Sequence, residues 1–180
     1  EVKPGWHAVA LGRTFDPQRV SISTGIVSAL NRQYGRAVQT DANVSAANYG
    51  GPLIDIRGRV IGVLVPMSPQ TSGVDAEDAL AGAEFYDSGI GFAIPLEHIL
   101  EMLERWIEQG DLHRGLLGIG LASGSAYAEP AEITAVWPQS PAEKAQWEAG
   151  DVIMAVDGQP IETQVDLRFL VTPRYAGDML

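Results

Sequence analysis

The sequence predicts a mostly β chain, with two strand-rich units separated by one amphipathic helix. Three observations carry this reading. Short β-branched runs punctuated by glycine fill the chain to about residue 95. Over residues 96–108 the apolar residues recur at three- and four-residue spacing instead. After Gly110 short apolar runs return.

The bulk properties agree. The 180 residues suit one domain or two small ones. With 46% hydrophobic and 19% charged residues, the chain can build a core and is not disordered as a whole. The net charge of −11 argues against binding to nucleic-acid phosphates. Residues 1–74 carry 7 basic and 4 acidic side chains and residues 75–180 carry 5 and 19, which reads first as a solvated acidic face and second as two units with different surfaces. The absence of cysteine excludes disulfides, thiolate catalysis and thiolate metal sites. No apolar run approaches the ~20 residues of a membrane span. No cluster has metal-ligand spacing, and no cofactor is expected. The ends, Glu1-Val-Lys-Pro-Gly-Trp without an initiator methionine and Tyr175-Ala-Gly-Asp-Met-Leu180, read as cut from a longer chain.

Each element follows from local pattern. Residues 6–11 and 20–30 read as strands, and Val38-Gln-Thr as another, before a polar loop from Asp41 to Gly51. Pro52-Leu-Ile-Asp-Ile and Val60-Ile-Gly-Val-Leu-Val flank Arg57-Gly58-Arg59, a β-hairpin signal. Residues 66–88 read as a surface loop and Gly89–Ile94 as a strand that Pro95 ends. Leu96, Ile99, Leu100, Leu103 and Ile107 give the helix one apolar face, read as an ordinary packed face. Glu101 and Arg105 form an i,i+4 pair, and Gly110 stops the helix. In the second unit Ala131–Val136 and Asp151–Val156 read as strands, and 141–147 as a short helix begun by proline. Asp157-Gly158 is a turn, and Thr163 caps a helix to about Val171.

The loop motif is the most specific feature. Gln39-Thr-Asp-Ala-Asn-Val-Ser-Ala-Ala-Asn-Tyr-Gly-Gly-Pro-Leu53 closely resembles the nucleophile loop of HtrA/DegP-type, trypsin-like serine proteases, which reads approximately TDAxINPGNSGGPL. Ser23-Thr-Gly-Ile-Val-Ser-Ala-Leu30 and Ile90-Gly-Phe-Ala-Ile-Pro95 resemble two further segments of that family. Arg114-Gly-Leu-Leu-Gly-Ile119, Ser140-Pro-Ala, Ala149-Gly-Asp-Val-Ile153 and Val156-Asp-Gly resemble a PDZ domain of the bacterial type. The resemblance implies the second lobe of a chymotrypsin-like double β-barrel over residues 1–95. A linker helix over 96–112 and an α+β PDZ domain over 113–180, short of its last strand, would follow. The lobe carrying the family's catalytic His and Asp would lie upstream, with the region that forms homo-oligomers.

The departures bear on function. The family's nucleophilic serine is Tyr49 here and its oxyanion glycine is Ala47, while Asn48, Gly50 and Gly51 keep the pattern. A phenol reaches several ångströms further than an alcohol and would fill the space of a substrate carbonyl. Alanine at a positive φ would be strained, so a flipped loop is expected. Ser45 reads as a turn hydroxyl, Asp41 as a turn-stabilising carboxylate, and His7, His98 and His113 as generic histidines. The expectation is therefore a degenerate serine protease homologue of the cell envelope. The resemblance also implies that Leu116, Leu117, Gly118 and Ile119 receive the carboxylate of a C-terminal or unfolded peptide segment. The peptide would add as a strand beside 117–121, over a pocket formed by Leu167, Leu170 and Val171. Two alternatives stand: a serine endopeptidase with a relocated or partner-supplied nucleophile, and a structural PDZ adaptor.

Overall fold

The computed structural model describes residues 2–13, 18–67 and 89–180. The loop expected over 66–88 therefore lies, from residue 68 on, outside the described residues. The chain divides into two compact units, 1–107 and 108–180.

The first unit is a closed six-stranded barrel. Its strands are β1 (His7–Gly12), β2 (Ser21–Asn31), β3 (Ala37–Thr40), β4 (Pro52–Asp55), β5 (Val60–Val65) and β6 (Gly91–Pro95). The order around the barrel is β1-β2-β3-β6-β5-β4, and β1 closes it by pairing antiparallel with β4. Alternation sends Ala8 and Ala10 of β1 inward to meet Val27, Val38, Leu53 and Leu64. Leu53 and Leu64 are wholly buried, each contributing about 1.5–3 kcal/mol of transfer free energy. Pro95, opposite Gly62, is the last residue of β6.

Two turns position the rest. Between β2 and β3 lies α1 (Arg32–Gly35), a single turn in which Gln33 and Tyr34 are left-handed between Asn31 and Gly35, also at positive φ. Between β4 and β5 the buried Asp55 organises the hairpin. Its Oδ1 accepts the amides of Arg57 (2.8 Å) and Arg59 (2.9 Å), and its Oδ2 accepts Arg59 Nε at 2.7 Å. The Arg59 amide and then its side chain hold the Asp55 carboxyl below the usual carboxylate range, against the burial that raises it. The Arg59 guanidinium also lies 5.9 Å from the Trp6 ring centroid.

Helix α2 (Leu96–Gln109) ends before Gly110, whose φ of +73° suits a helix stop. Its apolar face is not packed as expected, for Leu100, Leu103, Trp106 and Ile107 are exposed. The barrel core is completed by Val2, Trp6, Leu30 and Val44 without drawing on this helix.

The second unit holds β7 (Ile119–Leu121) paired with β8 (Ile133–Val136), then α3 (Pro141–Lys144). The hairpin β9 (Ala155–Val156) and β10 (Gln159–Pro160) follows, then α4 (Gln164–Val171). Ser140 caps α3 by accepting the Glu143 amide at 3.1 Å. Gln146 at φ +61° ends the turn, so the helix is shorter than the 141–147 expected. The strand expected over 151–156 is broken. Residues 151–153 bond back to 131–133, and only Ala155–Val156 form a ladder with β10. Asp157 and Gly158, at φ +50° and +76°, make the expected tight turn. Thr163 and Asp166 form a reciprocal capping box at the start of α4. The core of this unit is small: Ala131, Ile161 and Leu167, with Ile119, Leu121 and Leu170 packed against it.

Candidate functional site

Two loops carry the candidate chemistry, one in each unit. The first runs from Asp41 to Gly51. Its entry is tied to β2: Thr40 Oγ1 donates to the Ile26 carbonyl at 2.8 Å, and Asp41 Oδ1 accepts the Ile26 amide at 2.6 Å. Asp41 thus links loop to strand across the barrel wall instead of stabilising its own turn. The exit is tied to β5 by Gly50 N–H to the Leu64 carbonyl (2.8 Å) and Leu64 N–H to the Gly51 carbonyl (2.9 Å).

Between these anchors the loop closes on itself. The buried Asn48 accepts, through Oδ1, both the Ser45 amide (3.0 Å) and the Ser45 hydroxyl (3.2 Å). The Asn48 amide donates to the Ser45 carbonyl at 2.8 Å, and the Gly51 amide to the Asn48 carbonyl at 2.8 Å. The Ala47 amide donates to Ser45 Oγ at 3.3 Å. Ala47 is not at a positive φ, so the strain expected there is absent; an ordinary backbone angle has been reached with the amide turned to Ser45. Gly50 does need its φ of +78°. Gly51 is required for another reason, since a Cβ there would run into the Leu11 carbonyl oxygen. Tyr49 is half-buried. Ser45 donates to Asn48 and not to a histidine, and His7, His98 and His113 are all exposed.

The second loop precedes β7. The Gly115 amide donates to the Arg174 carbonyl at 3.1 Å. The carbonyls of Leu117 and Gly118 accept from Ala142 (3.0 Å) and Trp137 (2.8 Å). Among the described residues the amides of Leu116, Leu117 and Gly118 meet no acceptor. Gly118 stands at φ +79°, with no room for a Cβ against the Ser140 side chain. Successive free amides beside a left-handed residue form a concavity suited to an anion.

Behind this loop lies an apolar cavity of about 550 Å³. Of the residues singled out from sequence, Leu116, Leu117, Leu167 and Val171 line it. Ile119 and Leu170 pack in the adjoining core cluster, and Gly118 shapes the loop without lining the cavity. Sequence reasoning missed Trp147, Ile153 and Val156 as lining residues, which only the folding of distant segments gathers. Arg114, part of the loop motif, and an ion pair between Arg174 Nη2 and Asp157 Oδ2 (2.7 Å) stand at the same cavity. Beside it, β7 pairs only with β8, so among the described residues its other edge is open. Helix α4 is fixed alongside by Gln164 Nε2, which donates to the Ala122 carbonyl at 2.8 Å. Among the described residues no cluster of His, Asp or Glu could hold a metal ion. Among them, too, no helix is long and apolar enough to cross a membrane.

Comparison with known proteins matches both units. The family described as "Trypsin-like peptidase domain" matches residues 1–63, and the one described as "PDZ domain" matches residues 105–169. The chain is 31% identical to a probable periplasmic serine protease do/HhoA-like of Haemophilus influenzae, over 98% of this chain and 38% of that protein. It is 32% identical to the periplasmic serine endoprotease DegP of Escherichia coli K12, over 99% of this chain and 38% of that protein. The chain thus spans about two-fifths of the length of these relatives. Among solved structures it resembles the HtrA-type protease AlgW with decapeptide, with a TM-score of 0.68 and 27% identity. That match covers 95% of this chain and 53% of the other. It also resembles a serine endoprotease from Yersinia pestis, with a TM-score of 0.66 and 26% identity, covering 98% of this chain and 55% of the other.

Proposed function

This chain is of the HtrA/DegP type, a trypsin-like lobe followed by a PDZ domain, and from that premise we propose that it is a periplasmic pseudoprotease that binds peptides. Its PDZ domain takes exposed apolar C-termini or unfolded segments in protein quality control. On this reading residues 1–95 are the lobe, 96–112 the linker and 113–180 the PDZ domain. The periplasm is supported by the names of its relatives.

The observation that carries the loss of catalysis is the closed loop. Tyr49 stands at the position of the family's nucleophile, and the amide of Ala47, at the family's oxyanion position, is engaged by Ser45 Oγ. Acyl transfer needs a small alkoxide beside a base and donors aimed at the developing oxyanion. Removing one such donor alone costs about 10²–10³ in rate. Peptide binding is supported by the three free amides of 116–118, the apolar cavity and the open edge of β7. These suit a terminal carboxylate, an apolar side chain and an added strand respectively.

The test compares the protein expressed from its own gene with Tyr49→Ser, alone and combined with Ala47→Gly, for hydrolysis of casein. Wild type is expected to be inert. Cleavage by wild type that a serine-directed inhibitor abolishes overturns the reading in favour of an active endopeptidase. Recovery of cleavage in the double variant but not in Tyr49→Ser identifies the closed loop as a second lesion.

A further inference from the structure

We propose that α2 docks a cationic amphipathic helix of a partner protein along the apolar seam that the barrel leaves uncovered. Leu96, Leu100, Leu103 and Ile107 recur at spacings of four, three and four residues, which puts them on one stripe of the helix. These are the two inner positions of the seven-residue pattern by which helices pair side by side. Leu100, Leu103 and Ile107 are open to solvent, at 55%, 43% and 76% exposure. Ile99 and Met102, further round the helix, are half-buried. The barrel core draws on none of these residues.

The flanks of the seam specify the partner. Each seam residue is followed by a glutamate: Glu97, Glu101, Glu104 and Glu108. All four are exposed, and among the described residues no ion pair or side-chain hydrogen bond engages them. They line one edge of the stripe, while Ile99 and Trp106 stand on the other.

A second copy of α2 fits this arrangement badly. Antiparallel pairing would set Glu97 and Glu104 against the same glutamates of the copy, and parallel pairing would set them against Ile99 and Trp106. The first is repulsive, and the second strips water from carboxylates without supplying a counter-charge. An anionic lipid surface is repelled by the same edge. A helix with its own apolar seam, and with lysines or arginines along the facing flank, matches both the stripe and the glutamates. The seam from Leu96 to Ile107 is about 16 Å long, two heptads' worth, so a transient complex is expected rather than a permanent one.

The experiment is fluorescence anisotropy of three labelled helical peptides with the 180-residue chain and with the protein expressed from its own gene. All three end in an amide, which withholds the carboxylate that the 116–118 amides would receive and keeps the test independent of the groove before β7. One peptide has a leucine seam flanked by lysines, one the same seam flanked by glutamates, and one the lysine flanks with serine in the seam. The lysine-flanked leucine peptide is expected to bind both proteins about tenfold tighter than either of the others. Leu103→Ser combined with Ile107→Ser should remove the difference between leucine and serine seams while the unfolding midpoint stays put, since both side chains are exposed. Glu97→Lys combined with Glu104→Lys should reverse the preference between lysine and glutamate flanks. Equal binding of leucine and serine seams, or an unchanged flank preference in the Glu97→Lys, Glu104→Lys variant, overturns the proposal. So does binding by the 180-residue chain alone, which would mean that another part of the same protein covers α2. Dimerisation in sedimentation velocity that Leu103→Ser removes would give the seam to a second copy, and overturns it equally.

Discussion

The two loops of this chain treat their backbone amides in opposite ways. In the loop at 41–51, the amides of Ser45, Ala47, Asn48, Gly50 and Gly51 all donate within the protein. In the loop before β7, the amides of Leu116, Leu117 and Gly118 are left unmatched among the described residues. Both loops depend on glycines whose angles or close contacts no other residue tolerates. Loop architecture is thus kept in both, while among the described residues unmatched amides remain in the second. A donor set closed on itself is satisfied within the protein, whereas an open one is left to solvent or a ligand.

The comparison can be broken most forcefully through the barrel that holds the first loop. Leu64 is wholly buried, and its amide and carbonyl both anchor that loop. Leu64→Ala is expected to cost about 2–5 kcal/mol in chemical denaturation, because a cavity opens in a closed barrel. A cost below 1 kcal/mol would mean that the barrel relaxes around the loss and does not support the loop rigidly.

The second loop offers a more selective change. Gly118→Ala adds a Cβ at a positive φ and against Ser140, so residues 116–118 must shift. Binding of a leucine-terminated peptide should fall at least tenfold while the unfolding midpoint of the barrel stays put. Unchanged binding would show that the free amides take no part.

The smallest expected effect separates the units by pH. The Asp55 carboxyl is held below its ordinary value by the amide and side chain of Arg59, so the folded state favours its ionised form. Its stabilisation is complete above the unfolded value near ~4 and is lost as pH falls through the lower folded value. Barrel stability should therefore decline below about pH 4, and less steeply in Asp55→Asn. The two profiles coinciding would remove Asp55 from the acid response.

Much of the fold was legible in the residues. A short glycine-punctuated run marked β1, the hairpin signal around Gly58 marked β4 and β5, the three- and four-residue period marked α2, and Thr163 marked the start of α4. Other features were not. The left-handed turn at Gln33 and Tyr34 is flanked by Asn31 and Gly35, which tolerate positive φ, but Gln33 and Tyr34 themselves carry no such signal; the angles are imposed where β2 returns to β3. The strand over 151–156 reads as continuous, yet its halves are drawn to different partners, residues 131–133 and β10. The apolar stripe of α2 predicted burial that the barrel core did not require.

The sequence by itself determined that residue 49 is a tyrosine in a nucleophile-type loop, that no cysteine can replace it, and that a PDZ-like motif follows. Identity and order along the chain are enough for those statements. Only the tertiary structure decided that the Ala47 amide is engaged by Ser45, and that Leu117, Trp147 and Val171 meet at one cavity. It also decided that Gln164 aims one face of α4 at β7. The physical reason is that donors and cavity walls are properties of distances between segments far apart in the chain, which no local pattern encodes.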